Sequence, residues 1–588
     1  MWSKLCTSAA FGGTCAAATF YLSSSRHQPA RSQSAARDAI ARRQAIIVGG
    51  GVVGISTAYQ LSKRGFDVSV IEAAPLLTAA DGSASAVSAG GMQRVNVIMG
   101  PKEWAKTVQM FIKSGITDRL AAAPTQIRHY FAGAQGREET ARKEKEAFEK
   151  ALVDPAANLK RLQEPFNFFR LRSRALWDPH FYWWLTQFTA TSFLPLERLK
   201  TRQKDMLSFT EWAIDLTSHA IHKEHLNVGH ASTGAAFVIY TPDELEKARQ
   251  EVAAHPQGFA KASKEPRTVM ELNKVASREP CLRQMVFEPA GALVETESRM
   301  GDSRRFTQQL GQVCVEKMGR DASHAGGKVT VKTDTRVMGF VTSGSVWNGN
   351  LEVKTIKTNE GDIDVDEHTP VVIAAGGWTA RLFAKLGLYA PVYPMKGYSL
   401  IIDLPPKESP ARPPESALPQ GIVISPDKVL YFSRLGDQLR IASMGEFAGW
   451  NSRPDRQVVH ALKERAVLFF PKLRKLVDEA HCRTGFRPFV SDGVILTGHV
   501  PSTRNVYVNV GPGFNGWKTC IGAGELIARE ADRRTGGGKP EGEGQGKEEP
   551  ALSFDPASFS PVGRVVPSFC LAPIASYLWS FDKKDTLM

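Results

Sequence analysis

Three glycines at 49, 51 and 54, within Ile46-Ile47-Val48-Gly49-Gly50-Gly51-Val52-Val53-Gly54, follow an apolar run, and Val68-Ser69-Val70-Ile71-Glu72 closes the unit. This spacing reads as strand, tight turn, helix and strand. Gly49 permits the turn, Gly51 lets backbone approach a pyrophosphate, and Gly54 lets the helix pack on the strand, with its first N–H groups facing the phosphates. Glu72 lies 18 residues beyond Gly54, where a carboxylate accepts hydrogen bonds from a ribose 2'-OH. Glycines alone also mark ordinary turns; the flanking strands are what make this a socket for a dinucleotide.

Other segments could complete such a site. Ser83-Ala84-Ser85-Ala86-Val87-Ser88-Ala89-Gly90-Gly91 is built of small residues that either admit a flat ligand or form a plain loop. Val371-Val372-Ile373-Ala374-Ala375-Gly376-Gly377-Trp378 is an apolar strand opening into a glycine turn, and Val506 to Val510 leads through Gly511-Pro512-Gly513-Phe514-Asn515-Gly516 into a helical pattern from Cys520 to Ala531. Arg487 has the planar, permanently charged fork that suits a carboxylate, although by itself it reads first as a surface arginine after a turn. His481, Cys482 and His499 flank it and read as ordinary hydrogen-bonded side chains.

The elements that must position these residues occupy a long chain. Its 588 residues suggest about three or four domains, and the 42% of hydrophobic residues supplies large cores. The net charge of +14 is partly local: Lys4, Arg26, Arg31, Arg37, Arg42 and Arg43 precede the first strand, with Asp38 the one acid among them. A nucleic-acid partner is therefore not expected. Residues 1–43, rich in Ala, Ser and Arg, predict a mitochondrial targeting leader, with a secretory or membrane-anchoring role for the uncharged run Leu5 to Ser25 as the alternative. Seven cysteines without a CxxC pair suggest neither a disulfide framework nor a metal site.

Further along, 118–164 includes a stretch dense in Arg, Lys and Glu, with Glu138, Arg142 and Lys145 at helical spacing, and predicts an exposed, charged insertion. Two aromatic segments, Phe166 to Phe169 and Phe181-Tyr182-Trp183-Trp184, could line a pocket but fit plain core better. A strand over Ala236 to Tyr240 precedes a capping box at Thr241-Pro242-Asp243-Glu244, and Phe306 to Met318 reads as an amphipathic helix. Strands follow at Val329 to Val331, Met338 to Thr342 and Leu351 to Ile356, and again between Pro391 and Arg440 around a proline-rich loop, Pro405 to Pro419. Gly536 to Pro550 is low-complexity linker. The uncharged run Val565 to Ser580 is too short and broken for a membrane span, but suits surface contact with a membrane.

Taken together these pieces resemble the D-amino-acid oxidase (DAO) superfamily of FAD-dependent amine oxidoreductases, and most closely the small subunit of bacterial D-amino-acid dehydrogenase. The resemblance runs from about residue 45 to 530. It rests on Gly49 to Glu72, Ser85 to Gly90, Gly301-Asp302 with Phe306-Thr307-Gln308, Val392-Tyr393-Pro394-Met395-Lys396-Gly397-Tyr398-Ser399-Leu400, Thr484-Gly485-Phe486-Arg487-Pro488 with Asp492-Gly493, and Gly511 to Gly524. It implies an α/β fold: a Rossmann-like FAD-binding domain of DAO type (44–95, 291–385 and 481–535), interleaved with an α+β substrate domain built on an antiparallel sheet (96–290 and 386–480), and followed by a linker and tail (536–588).

The same resemblance implies roles. Gly49, Gly51, Val53 and Gly54 would hold the pyrophosphate of a noncovalent FAD, Glu72 the adenosine ribose, and backbone at Val337 the adenine. Ser85, Ala86, Ala89, Gly90 and Gly376 would lie along the ribityl chain and flavin, and Gly513, Asn515 and Gly516 would meet the pyrimidine end of the ring, where a helix N-terminus favours negative charge. Arg487 would grip the substrate carboxylate, with Tyr398 and Lys396 as weaker catalytic candidates. The implied reaction is hydride transfer from Cα of a small amino acid, a D-amino acid first, to flavin N5, giving an imino acid and then a 2-oxo acid and ammonium. A quinone or electron carrier would take the electrons onward. Alternatives within the frame are dehydrogenation of sarcosine or dimethylglycine, of proline, or of a 2-hydroxy acid; outside it, a flavin-binding respiratory-chain assembly factor without turnover. Ser88 and Gly91 stand where the bacterial pattern has Asn and Gln, which leaves substrate range open.

Overall fold

Ala45 and Ile47 point to one side of the strand Gln44–Val48 and Ile46 and Val48 to the other, and all four are buried because both faces of this strand are covered. In the computed structural model it runs parallel between Asp67–Ile71 and Val371–Ile373, in register Ile47 with Val70 and Val372. Val329–Lys332 and Val506–Val510 extend the parallel set outward, and Leu496–His499 closes one edge antiparallel, making six strands. Continuous apolar runs are what a parallel sheet buried on both faces requires. The structure describes residues 43–78, 82–92, 133–154, 156–157, 169–191, 196–254, 267–320, 326–425, 430–511, 513–536 and 551–568.

Helices Val52–Lys63, Ser303–Glu316 and Gly516–Arg534 cover one face through Ile55, Ala58, Phe306, Leu310, Ile521 and Ile527. The other face packs on Val353 and Ile356 of a three-stranded meander, Val337–Ser343, Glu352–Thr358 and Gly361–Asp364. Asp302 caps the helix Ser303–Glu316 by accepting from the N–H groups of Arg304 (2.8 Å) and Arg305 (3.2 Å), which fixes its start three residues before the expected Phe306.

A nine-stranded sheet forms the second layer, in the order His481–Val490, Val392–Asp403, Gln438–Phe447, Leu430–Leu435, Ile422–Ser425, Ala235–Ile239, Gly291–Glu295 and Arg267–Glu271, with Phe169–Leu171 alongside Gln438–Phe447. It is antiparallel except where Ile422–Ser425 meets Ala235–Ile239 and where Phe169–Leu171 joins. The fold is thus a Rossmann-like parallel sheet joined to a largely antiparallel one. The strands His481–Val490 and Gly291–Glu295 lie in the large sheet although their segments were expected in the dinucleotide half.

The capping box at Thr241 forms as expected: Glu244 N–H donates to Thr241 Oγ1 at 3.3 Å and Thr241 N–H to Glu244 Oε2 at 3.2 Å. Two expectations need correction. The described part of the 118–164 insertion is the helix Gly133–Val153, charged on one side (Arg142 pairs with Glu146 at 3.3 Å), yet Phe148 and Ala151 are buried in the core of the large sheet. Their spacing of three residues puts both on one helix face, so this helix is anchored, not merely exposed. Likewise 551–568 is no free tail: Phe554 and Phe559 pack with Met206, Phe209 and Ile495, and Val566–Pro567 pairs with Leu388–Tyr389. The leader, most of the segment Phe166 to Phe169, and 569–588 lie outside the described residues.

Candidate active site

The glycine turn after the first strand is required by the protein's own packing at two of its three positions. A Cβ on Gly54 would lie 1.9 Å from Gly49 O, and one on Gly49, whose φ is +112°, would lie 2.6 Å from Ala374 O. Gly51 is different: within 4 Å its Cβ would meet one atom, Ser85 Oγ at 3.5 Å. It is the N-cap of the helix Val52–Lys63, in which Val53 is half-buried. Glu72 accepts from Gly50 N–H (2.6 Å) and Ala74 N–H (2.9 Å), and its backbone carbonyl accepts from Thr335 N–H at 2.9 Å, which brings the start of the strand Val337–Ser343 beside it.

Around the small-residue segment, four carbonyls are turned into the protein. Ser85 O accepts from Ser303 Oγ at 2.7 Å, Ser88 O from Arg440 Nη1 at 2.7 Å, Ala89 O from Ser433 Oγ at 2.5 Å, and Gly90 O from Gly301 N–H (2.9 Å) and Trp517 Nε1 (3.1 Å). Ala86 is buried. Arg440, only 2% exposed, also pairs with Asp302 at 2.6 Å. The Ser88 hydroxyl accepts from Gly90 N–H at 3.2 Å. Gly376 adopts φ +54° with open space where a side chain would be.

Arg487 sits on the strand His481–Val490, opposite Met395 of Val392–Asp403, with Gly485 opposite Gly397. A Cβ on Gly397 would lie 2.4 Å from Arg487 Cζ; the guanidinium crosses the strand through the space that glycine leaves. It lies over the Phe514 ring at 4.9 Å. The next residue, Pro488, accepts through its carbonyl from Gly513 N–H at 2.8 Å, so the arginine and the turn at Gly513, Asn515 and Gly516 are stitched together. Asn515 opens the helix Gly516–Arg534. The Arg487 side chain keeps an exposed flank, but its guanidinium lies deep enough that burial lowers its pKa to about 10. It is charged at neutral pH and poorly solvated, the state in which an anion is bound most strongly.

Lys396 and Tyr398 do not join Arg487. Strand alternation sends them to the face opposite Gly397, where Lys396 Nζ pairs with Glu446 Oε2 at 2.8 Å and donates to Arg453 O at 3.0 Å, and Tyr398 OH donates to Glu446 Oε2 at 2.7 Å. Arg172 also bonds Glu446, and reaches Asp455 at 2.6 Å. Burial pushes the Glu446 pKa up, but Lys396, Arg172 and Tyr398 outweigh it and hold the carboxyl below its ordinary value. Burial and Glu446 push the Tyr398 phenol up, so it stays protonated. Of the flanking groups, His481 is exposed, and His499 makes a hydrogen bond with Arg504 O at 3.2 Å. Phe181 and Trp184 are core: they pack with Tyr393, Met395, Phe447 and Phe489, and Phe489 touches Phe514. Among the described residues no three His, Cys, Asp or Glu side chains converge as a metal site.

Residues 44–530 match the family model described as FAD dependent oxidoreductase. The chain belongs to this family. A D-amino acid dehydrogenase of Vibrio vulnificus strain CMCP6 is 25% identical over 352 residues, covering 60% of this chain and 76% of the relative. Another, from Methylobacterium radiotolerans, is 25% identical over 489 residues, covering 82% and 94%. Among solved structures, glycine oxidase from Geobacillus kaustophilus (TM-score 0.51, 18% identity, 88% of this chain and 98% of that one) and L-proline dehydrogenase from P. horikoshii (TM-score 0.52, 14% identity, 83% and 92%) share the fold. The cradle of this FAD-dependent oxidoreductase fits an FAD: space is open beside Gly51 and Gly376, Glu72 braces the glycine turn through Gly50 N–H, and the carbonyls of the small-residue segment are satisfied by protein.

Sequence reasoning missed Arg440, Ser303 and Phe514. Asp302 and Phe514 stood inside segments already singled out, Gly301-Asp302 and the Gly511 turn. Arg440 carries no local signal of this contact, because beyond Gln438 two residues away its partners come from Ser88 and from Asp302, 138 residues away.

Proposed function

We propose that this flavoprotein oxidises the Cα–N bond of a small amino acid, a D-amino acid before others, with noncovalently held FAD. One observation carries the reading: a buried guanidinium, Arg487, is fastened through Pro488 to the glycine turn that opens the helix Gly516–Arg534. The names of the sequence relatives support an amino acid, and a D-amino acid in particular.

In this reading Arg487 takes the substrate carboxylate as a bidentate pair, and Gly397 leaves the room for it to do so. Phe514 lays its ring against the guanidinium. The turn at Gly513 to Gly516 offers backbone donors and a helix N-terminus where negative charge develops. FAD, when bound, supplies a two-electron hydride acceptor. Orientation does most of the work, so no side-chain base is needed to remove the Cα hydrogen. The amine must be neutral to push electrons into the forming C=N bond; water then converts the released imino acid to a 2-oxo acid and ammonium. Lys396, Tyr398 and Glu446 support the strand that carries Gly397 from its other face.

The electrons leave to a quinone or electron carrier, and the protein works in the mitochondrion, a reading supported by the composition of residues 1–43. No described helix is long and apolar enough to cross a membrane; the uncharged residues between Ser568 and Ser580 support peripheral contact with a membrane surface. The test is to purify the full protein, record its visible spectrum, and add D-amino acids, sarcosine, L-proline and 2-hydroxy acids without oxygen. Bleaching of the flavin band by D-amino acids is the expected result. FAD bound without bleaching by any donor would end the proposal, and flavin that stays with acid-precipitated protein would end its noncovalent part.

A further inference from the structure

The family match ends at residue 530, yet 551–568 folds back onto the body and buries an arginine there. Arg564 donates from Nη1 to Ile495 O (2.7 Å) and Phe559 O (3.1 Å), and from Nη2 to Val494 O (2.8 Å) and Asp492 Oδ1 (2.7 Å). Asp492 also pairs with Arg202 at 3.2 Å and accepts from Val494 N–H at 3.2 Å. Pro561 and Phe559 seat the segment beside Gly498 and Ile495, and Ser568 N–H donates to Gly387 O at 2.9 Å.

The place gripped is the loop Asp492 to Ile495. Two residues before it the arginine strand ends at Val490, and on its other side the Gly511 turn rests on it: a Cβ on Gly511 would lie 2.6 Å from Val490 Cγ2 and 3.7 Å from Ile495 Cα. Arg564 therefore fastens the loop against which both halves of the site are registered, the strand bearing Arg487 and the turn that donates to Pro488 O.

We propose that Arg564 is a positioning residue for substrate binding: through Asp492 and Ile495, the strap 551–568 holds Arg487 and the Gly513 turn at the spacing that accepts a carboxylate. This rests on the amino-acid reading above. A buried arginine fork with four acceptors locks a loop more narrowly than apolar packing does, and small misplacements of an anchoring group weaken binding steeply.

The test uses the full-length, FAD-loaded protein with Arg564→Met, Arg564→Lys and Asp492→Asn. The readouts are FAD content, melting temperature, KM and kcat, and the Kd of benzoate, an unreactive carboxylate, followed through the flavin spectrum. The expected result is full FAD content with KM and benzoate Kd raised about tenfold in Arg564→Met and less in Arg564→Lys, and kcat lowered in the same order as the Cα–H is misoriented. If Arg564→Met does not fold, Arg564→Lys and Asp492→Asn must still raise the benzoate Kd, by less than about tenfold, with FAD retained. A lower melting temperature with unchanged Kd and KM would reduce the strap to a stabiliser and overturn the proposal. Wild-type protein that binds neither benzoate nor any amino acid would overturn the amino-acid reading, and this inference with it.

Discussion

Gly397 and Arg487 are a matched pair: the glycine's missing side chain is the space the guanidinium occupies, since a Cβ there would come within 2.4 Å of Cζ. Gly397→Ala should leave the backbone in place, because the crowded atoms belong to the far end of a flexible side chain, and should push Arg487 off its position. KM for the amino acid is expected to rise roughly tenfold with FAD content unchanged. Unchanged kinetics would mean that the guanidinium's place is not where substrate binds.

On the proposed reading, Arg487→Ala removes the substrate carboxylate's partner altogether. Its loss should lower kcat/KM on the order of 100-fold, through a higher KM and a misoriented Cα–H, with the flavin spectrum retained. Steady-state kinetics at saturating acceptor check this, and turnover at the wild-type level would refute the assignment.

The glycines of the cradle should divide into two kinds. Gly51→Val places a side chain in open space, so the protein should fold and purify colourless. Gly54→Ala puts a methyl 1.9 Å from Gly49 O and should lower the melting temperature whether or not FAD is added. Comparing flavin content with thermal denaturation separates a ligand-facing glycine from a packing glycine.

His180 gives stability a pH dependence. Burial, with the charge of Arg381 adding to it, lowers its pKa from 6.5 to about 3, beside Tyr389 and Trp450. Above pH 6.5 the ring is neutral in both folded and unfolded chains. As pH falls from there towards 3 the unfolded chain gains a proton that the folded one refuses, and stability drops on the order of 4 kcal/mol. His180→Phe should flatten this part of a denaturation-versus-pH curve; a curve of the same shape in wild type and variant would contradict it.

Glu446 is the counter-ion for the fully buried Lys396 and holds the Tyr398 hydroxyl. Glu446→Gln should cost about 3 kcal/mol by leaving Lys396 without its partner. The double variant Lys396→Met, Glu446→Leu is expected to be more stable than Glu446→Gln alone. Chemical denaturation measures the order, and the reverse order would show that the pair itself carries net stability.

What sequence could reveal here was what is local. The Gly49 to Gly54 unit, the strand Val371–Ile373 and the helix after Asn515 depend on neighbours a few residues away; the first two form where spacing predicted, and the helix starts at Gly516, four residues ahead of the expected Cys520. Lys396 and Tyr398 were candidates through the resemblance, which does not show strand alternation; with the register Met395 to Arg487 known, Gly397 is the residue on the arginine's side. Phe148 and Ala151 were submerged in a charged segment, although two apolar residues three apart suffice to anchor a helix. The strap around Arg564 lay beyond a low-complexity linker, and nothing near it in sequence indicates that three of its four acceptors are at 492–495.

The contacts of Ser88 and Ala89 bear on how such a molecule can be recombined. Arg440 and Ser433, which hold those two carbonyls, belong to the large sheet, whereas on the proposed reading the segment they hold lines the nucleotide cradle. A chimera that exchanges the large sheet for a relative's, to change which substrate is accepted, must bring an equivalent arginine and hydroxyl with it, or the cofactor's own wall comes loose.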